Sequence, residues 1–160
     1  MIDRQVAEQA RRLVADIVVT SESGLPVAVV EVKNRPGLTA EIAASIRRNL
    51  IIHHLASPLA PYFLIISQDT GWLWAEHPKS APEALPTVGF PTAPIISGYA
   101  PWLQPSERLS GGSLEFVVAN WLSDLALGRA PELGDVIAPL SGTGFLEALG
   151  GAGVTINERV

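Results

Sequence analysis

Two apolar, β-branched runs stand one short turn apart near the start of this chain, Asp16-Ile17-Val18-Val19-Thr20 and Pro26-Val27-Ala28-Val29-Val30-Glu31-Val32-Lys33. β-Branched side chains favour extended backbone, and Gly24 and Pro26 mark a reversal between the runs, so the spacing predicts a hairpin. The charges constrain the fold further. Asp16 opens the first run, and Glu31 and Lys33 close the second, at the ends of strands that the apolar pattern places in a core. Taking an ion out of water costs several kcal/mol unless it is paired or bound to a metal. Two carboxylates and an ammonium in such positions ask for a common explanation.

With Glu22 to Leu25 as a four-residue loop, the register sets Asp16 opposite Glu31, Val18 opposite Val29 and Thr20 opposite Val27. Facing side chains of an antiparallel pair have Cβ atoms about 4.5–5.5 Å apart, and like charges so placed repel unless a cation lies between them. Glu31 and Lys33, two residues apart on one strand, share a face. A loop one residue shorter or longer would turn the carboxylates to opposite faces. Two hard oxygen donors with vacant positions suit Mg²⁺ or Mn²⁺, and such an ion acidifies a bound water and offsets charge on a phosphoryl oxygen. A neighbouring lysine can orient that water. The set is sufficient for phosphodiester hydrolysis without histidine or cysteine.

Composition narrows the alternatives. Cysteine is absent, which excludes disulfides, thiolate metal sites and cysteine nucleophiles. Only 17% of residues are charged, against a usual figure of about 25%. The net charge of −5 opposes broad adhesion to nucleic acid, yet residues 1–54 carry seven basic and six acidic residues while residues 55–160 carry four and ten. A polyanion would therefore meet the N-terminal third. The start, Met1-Ile2-Asp3-Arg4, lacks the order of a signal peptide, and the apolar zone from Leu50 to Ser67 is broken by His53, His54, Pro58 and Pro61. The expectation is a cytoplasmic chain with no membrane span.

Helical spacing of Val6, Ala7, Ala10, Leu13 and Val14 predicts a helix over residues 3–14. Thr39 is a candidate N-cap for a second helix to about Leu55, with Ile42, Ile46 and Leu50 as its apolar stripe and Arg47 and Arg48 projecting to its sides. Tyr62–Ser67 reads as a central strand, and Asp69-Thr70-Gly71 turns into Trp72–Ala75. Seven prolines in residues 78–105 predict an irregular strap wrapped over the core. Ser110-Gly111-Gly112-Ser113 leads into a helix at about 114–127, followed by a short helix near Phe145–Leu149 and a final strand at Gly153–Glu158. The expected fold is α/β, a mixed sheet between helices, in one domain: a core at 1–77, the strap at 78–112 and a helical extension at 113–160.

Asp16, then Glu31-Val32-Lys33 at the end of an apolar strand, resembles the PD-(D/E)XK, or restriction-endonuclease-like, superfamily. The similarity spans residues 3–76. It implies that Asp16 and Glu31 bind Mg²⁺ or Mn²⁺ with a backbone carbonyl from Val32, that Lys33 is the catalytic lysine, and that the substrate is DNA. Some branches of the superfamily carry a further acid on the first helix, for which Glu8 is the candidate metal ligand. Arg35, Arg47 and Arg48 are the candidate contacts to the nucleic-acid backbone. Ala15 stands where the motif has proline. Glu8 lies only eight residues before Asp16, which leaves no room for the usual first strand; the chain either lacks it or supplies it from its C-terminus. The short chain suits a homodimer that cuts both strands. The alternative is a non-catalytic interaction or scaffold protein that keeps this fold, binding a protein partner through its acidic C-terminal half and the aromatic residues around Tyr99–Trp102.

Overall fold

The two runs form the hairpin, as β1 (Ile17–Thr20) and β2 (Pro26–Val32). The structure, a computed structural model, describes residues 15–104 and 106–157. The helix expected at 3–14, with Glu8, lies outside the described residues. Ile17, Val18 and Val19 pair with Val30, Val29 and Ala28, the expected register. The turn itself differs. Ser21 N–H donates to Leu25 O (2.8 Å) and Gly24 N–H to Ser21 O (2.9 Å), so the loop has three residues, and Gly24 supplies its left-handed position at φ +85°. Thr20 therefore pairs with Pro26 rather than Val27, and a register shift next to Val19 restores the pairing beyond it.

β3 (Tyr62–Ile66) lies parallel to β2, and the connection carries α1 (Ala40–Ile52). The Thr39 hydroxyl caps α1 by accepting from Ile42 N–H at 3.2 Å. β4 (Thr70–Trp74) and β5 (Val88–Pro91) extend the sheet antiparallel beyond β3. At the opposite edge β6 (Gly153–Ile156) runs antiparallel to β1, pairing Ile17 with Ile156 and Thr20 with Gly153. The sheet order is β5-β4-β3-β2-β1-β6. The C-terminal strand thus covers the side of β1 that faces away from β2.

The proline-rich segment is more regular than a strap. It supplies β5 and α2 (Ala93–Tyr99). Proline is tolerated there because Pro91 ends an edge strand and Pro94 sits in the first turn of a helix, where its missing N–H has no partner to lose. Two glycines let aromatic rings lie flat across the β4–β5 pair. A Cβ on Gly89 would come within 2.4 Å of the Trp72 ring, and one on Gly71 within 2.2 Å of the Phe90 ring. Each ring thus occupies the space that its cross-strand glycine leaves free.

Helices cover both faces. Against one, Val29, Phe63, Ile65 and Trp74 pack with Ala43 and Ala44 of α1. Against the other, Ile17, Ala28, Val30, Leu64, Leu73 and Phe90 pack with α2, α3 (Gly111–Ala126), α4 (Gly134–Leu140) and α5 (Phe145–Ala148). α3 begins at a Ser110 cap that accepts from Ser113 N–H at 3.1 Å, and its Trp121 is wholly buried with its ring 5.9 Å from that of Phe90. The result is a mixed α/β fold with a six-stranded mixed sheet. No helix among the described residues is long and apolar enough to cross a membrane.

Candidate active site

Asp16 and Glu31 are both buried, at 4% and 2% exposure. They are not directly opposite one another. The Asp16 N–H donates to Val30 O at 3.1 Å, and Val30 is already the register partner of Ile17. Asp16 and Ile17 therefore share one partner, and the chain bends at Asp16. The register arithmetic fails by one residue because it extends a regular ladder past this bend. The bend aims the Asp16 carboxylate across the strand gap, where Oδ2 accepts the N–H of Val32 at 2.7 Å. That N–H belongs to the peptide joining Glu31 to Val32. Bulges of this kind re-aim side chains next to functional sites.

Lys33 completes the group. Its Nζ lies 3.1 Å from Glu31 Oε1, and its side chain is 38% exposed. Its own N–H continues the parallel ladder to Ile66 O at 2.9 Å, which fixes the backbone at the end of β2. Asp16, Glu31 and Lys33 are thus linked by two polar contacts, with buried carboxylates inside and an accessible ammonium outside. A surface ion pair is worth little, but one with a buried partner is screened less by water.

The remaining candidates separate. Arg35 is exposed just past Lys33, and Arg48 is exposed on α1. Arg47 does not project from the helix: it is wholly buried, 5.3 Å above the Trp74 ring. Its Nε donates to His77 Nδ1 (3.1 Å) and its terminal nitrogens to the carbonyls of His77, Ser80, Ala81 and Pro82. Burial lowers its pKa to about 10, although Glu83 acts to raise it. These contacts direct Arg47 into the 77–82 segment and away from any backbone phosphate. Its helical phase beside Ala43 and Ala44 carries it inward, which the flanking Arg48 conceals in the sequence. His53 and His54 are exposed.

Sequence reasoning missed a second cluster at the same end of the sheet. Gln68, 8% exposed, donates to Glu107 O (2.8 Å) and accepts from Leu109 N–H (2.7 Å), so its amide pairs like a strand peptide. Asn34, next to Lys33, donates to Leu109 O. Arg108 then bridges Asp69 Oδ2 (2.7 Å) and Asn34 Oδ1 (3.2 Å). No local pattern announces this cluster, since its partners lie 39 to 75 residues apart.

No group of three or more metal-ligating side chains forms among the described residues. The donor chemistry available is two buried carboxylates on neighbouring strands and backbone carbonyl oxygen, all hard donors. That set fits Mg²⁺ or Mn²⁺, which takes one or two carboxylates and keeps waters in its other positions; it does not fit a closed zinc site. Comparison of the chain with protein-family models, with curated proteins and with solved structures finds no match in any of the three.

Proposed function

We propose that this protein is a small Mg²⁺- or Mn²⁺-dependent deoxyribonuclease with a restriction-endonuclease-like core. The observation that carries the reading is the Asp16 carboxylate bound to the Glu31–Val32 peptide, with Lys33 Nζ on the Glu31 carboxylate. Two buried acids at neighbouring strand ends with an ammonium beside them are the donor set that a divalent ion and a phosphodiester would use. The strand order supports the reading too, because β6 stands where the superfamily's first strand is otherwise missing.

Asp16 and Glu31 would hold the ion, with the Val32 carbonyl as a third donor. When bound, it would supply an acidified water and a charge that offsets the phosphoryl oxygens. Lys33 sits at the edge of the buried pair, where its ammonium orients the attacking water and stabilises negative charge on the phosphoryl oxygen. A P–O bond to the water forms, the P–O bond to the leaving sugar oxygen breaks, and the proton lost by the water ends on that oxygen. Arg35 and Arg48 hold the flanking phosphates, and a homodimer presents one such site to each strand.

A second reading has one observation of its own. Trp102 and Phe116 are 72% and 64% exposed beside a cleft of about 620 Å³ between α2 and α3. Apolar rings left in water mark interaction surfaces, which is what a scaffold protein that kept this fold would use. Digestion of plasmid and single-stranded DNA with Mg²⁺ or Mn²⁺ separates the two. The nuclease reading expects cleavage by the wild type and none by Asp16→Asn or Lys33→Ala. Equal cleavage by all three identifies a contaminant, and no cleavage together with no heat of Mn²⁺ binding favours the scaffold.

A further inference from the structure

Arg108 is a basic group at the rim of the sheet that the resemblance does not supply. We propose that it is the phosphate clamp of a strand-binding cleft at the carboxyl ends of β2 and β3, an inference that rests on the phosphodiester reading of Asp16, Glu31 and Lys33. The cleft measures about 720 Å³, a ligand-sized volume, and three separate stretches of chain converge on it: the 36–41 segment, the 69–72 segment, and Arg108. It lies where open α/β sheets bind ligands, beyond the carboxyl ends of parallel strands joined by a helix.

The placement of Arg108 is built rather than incidental. Gln68 and Asn34 fix the backbone on both sides of it through Glu107 and Leu109. Asp69 and Asn34 then hold its guanidinium plane at two nitrogens. A guanidinium has five N–H donors, so three remain for a ligand, and the side chain is 36% exposed. A planar fork held in advance loses little freedom on meeting a phosphate. Asn34 adjoins Lys33, so Arg108 and the Lys33–Glu31 pair stand at the same end of β2.

Glu41 and Asp69 also line the cleft, and they select among phosphate ligands. Two carboxylates repel a free phosphate dianion or a nucleoside polyphosphate. A phosphodiester carries one charge per unit, and its next units meet Lys33 and Arg35 instead. The ligand class is therefore a nucleic-acid strand.

The test is fluorescence anisotropy with an end-labelled single-stranded 12-mer, the divalent ion chelated so that nothing is cut. Arg108→Gln is expected to weaken binding about 5- to 10-fold and to lower the slope of log K against log salt by about 0.7, one phosphate contact on a single strand. Arg108→Lys should keep the slope and recover only part of the affinity. Asp69→Asn keeps an acceptor and removes the competing charge, so binding should tighten about 2- to 3-fold; this readout serves even if Arg108→Gln fails to fold. Wild-type affinity and slope in Arg108→Gln, or unchanged binding in Asp69→Asn, would overturn the clamp. Digestion is scored separately: binding through Arg108 without cleavage sinks only the catalytic reading, and cleavage with binding indifferent to Arg108 sinks only the clamp.

Discussion

The Nε of Arg47 donates to Nδ1 of His77 at 3.1 Å, and that one bond decides the state of both side chains. Because Nδ1 accepts, the ring proton sits on Nε2, which donates to Ser57 O at 3.1 Å. Three segments meet there: α1, the loop before β3, and the turn after β4. The ring of His77 stacks on Phe63 with centroids 5.0 Å apart, so the polar latch lies directly on the apolar core.

Replacing Arg47 by methionine should fill much of the space yet leave the strap carbonyls without donors. Breaking a buried charged network of this kind costs on the order of 3–5 kcal/mol. Arg47→Lys should recover only part, because a point charge cannot serve carbonyls spread around a planar fork. Urea unfolding followed by tryptophan fluorescence checks both. A loss below about 1 kcal/mol for Arg47→Met would show that other contacts hold the 77–82 segment.

His77 also gives the fold a pH dependence whose sign is fixed. Burial, and after it the Arg47 charge, lowers its pKa to about 4, whereas an unfolded histidine titrates near about 6.5. Between those values the unfolded chain binds the proton and the folded chain does not, so stability rises with pH across that window. The contribution is intact above about pH 6.5 and is lost as the pH falls towards 4, by roughly 2–3 kcal/mol at about 1.4 kcal/mol per unit. His77→Asn keeps an acceptor for Arg47 and should flatten the profile over pH 4.5–7. An equally steep profile in the variant would assign the dependence to another group.

Much of this fold was legible because its signals are local. The hairpin follows from two β-branched runs and one glycine, α1 from the Thr39 cap ahead of periodic apolar residues, and α3 from its broad apolar face, although the Ser110 cap starts it at Gly111 rather than at about 114. The candidate acids were found through their position at strand ends, not through a partner. What escaped depends on long-range pairing. Arg47 reads as a flanking charge because its acceptors lie 30 or more residues away in a proline-rich segment. Arg108 reads as an ordinary surface residue because the Gln68 and Asn34 contacts that fix its backbone come from distant segments. The bend at Asp16 is invisible to register counting, which assumes that each residue of β1 has its own partner.

Asp16 has a structural contact at that bend, and substitution can distinguish it from the proposed metal-binding role. Asp16→Asn keeps an oxygen for the Val32 N–H, so it should fold within about 1 kcal/mol of the wild type while losing metal binding and hydrolysis. Asp16→Ala strands the buried N–H as well and should cost about 1–3 kcal/mol. Thermal unfolding paired with Mn²⁺ calorimetry reads both effects. If Asp16→Asn binds Mn²⁺ as tightly as the wild type, the carboxylate is structural.

The C-terminal strand connects sheet closure to the same residue. Asn157 N–H donates to Asp16 O at 2.8 Å, and the alternation of the β1–β6 ladder then turns the N–H of Thr155 towards Val18. The Thr155 side chain is exposed, so Thr155→Pro removes a ladder donor with little loss of packing. It should cost about 1–3 kcal/mol and loosen the backbone that presents Asp16, lowering Mn²⁺ affinity as well as stability. Thr155→Val keeps the N–H and suits a strand, so it should leave both unchanged within about 0.5 kcal/mol. Hydrogen exchange at Val18 and Asn157 localises the effect. Faster exchange confined to β6, with Mn²⁺ affinity intact, would show that Asp16 is held by β2 alone.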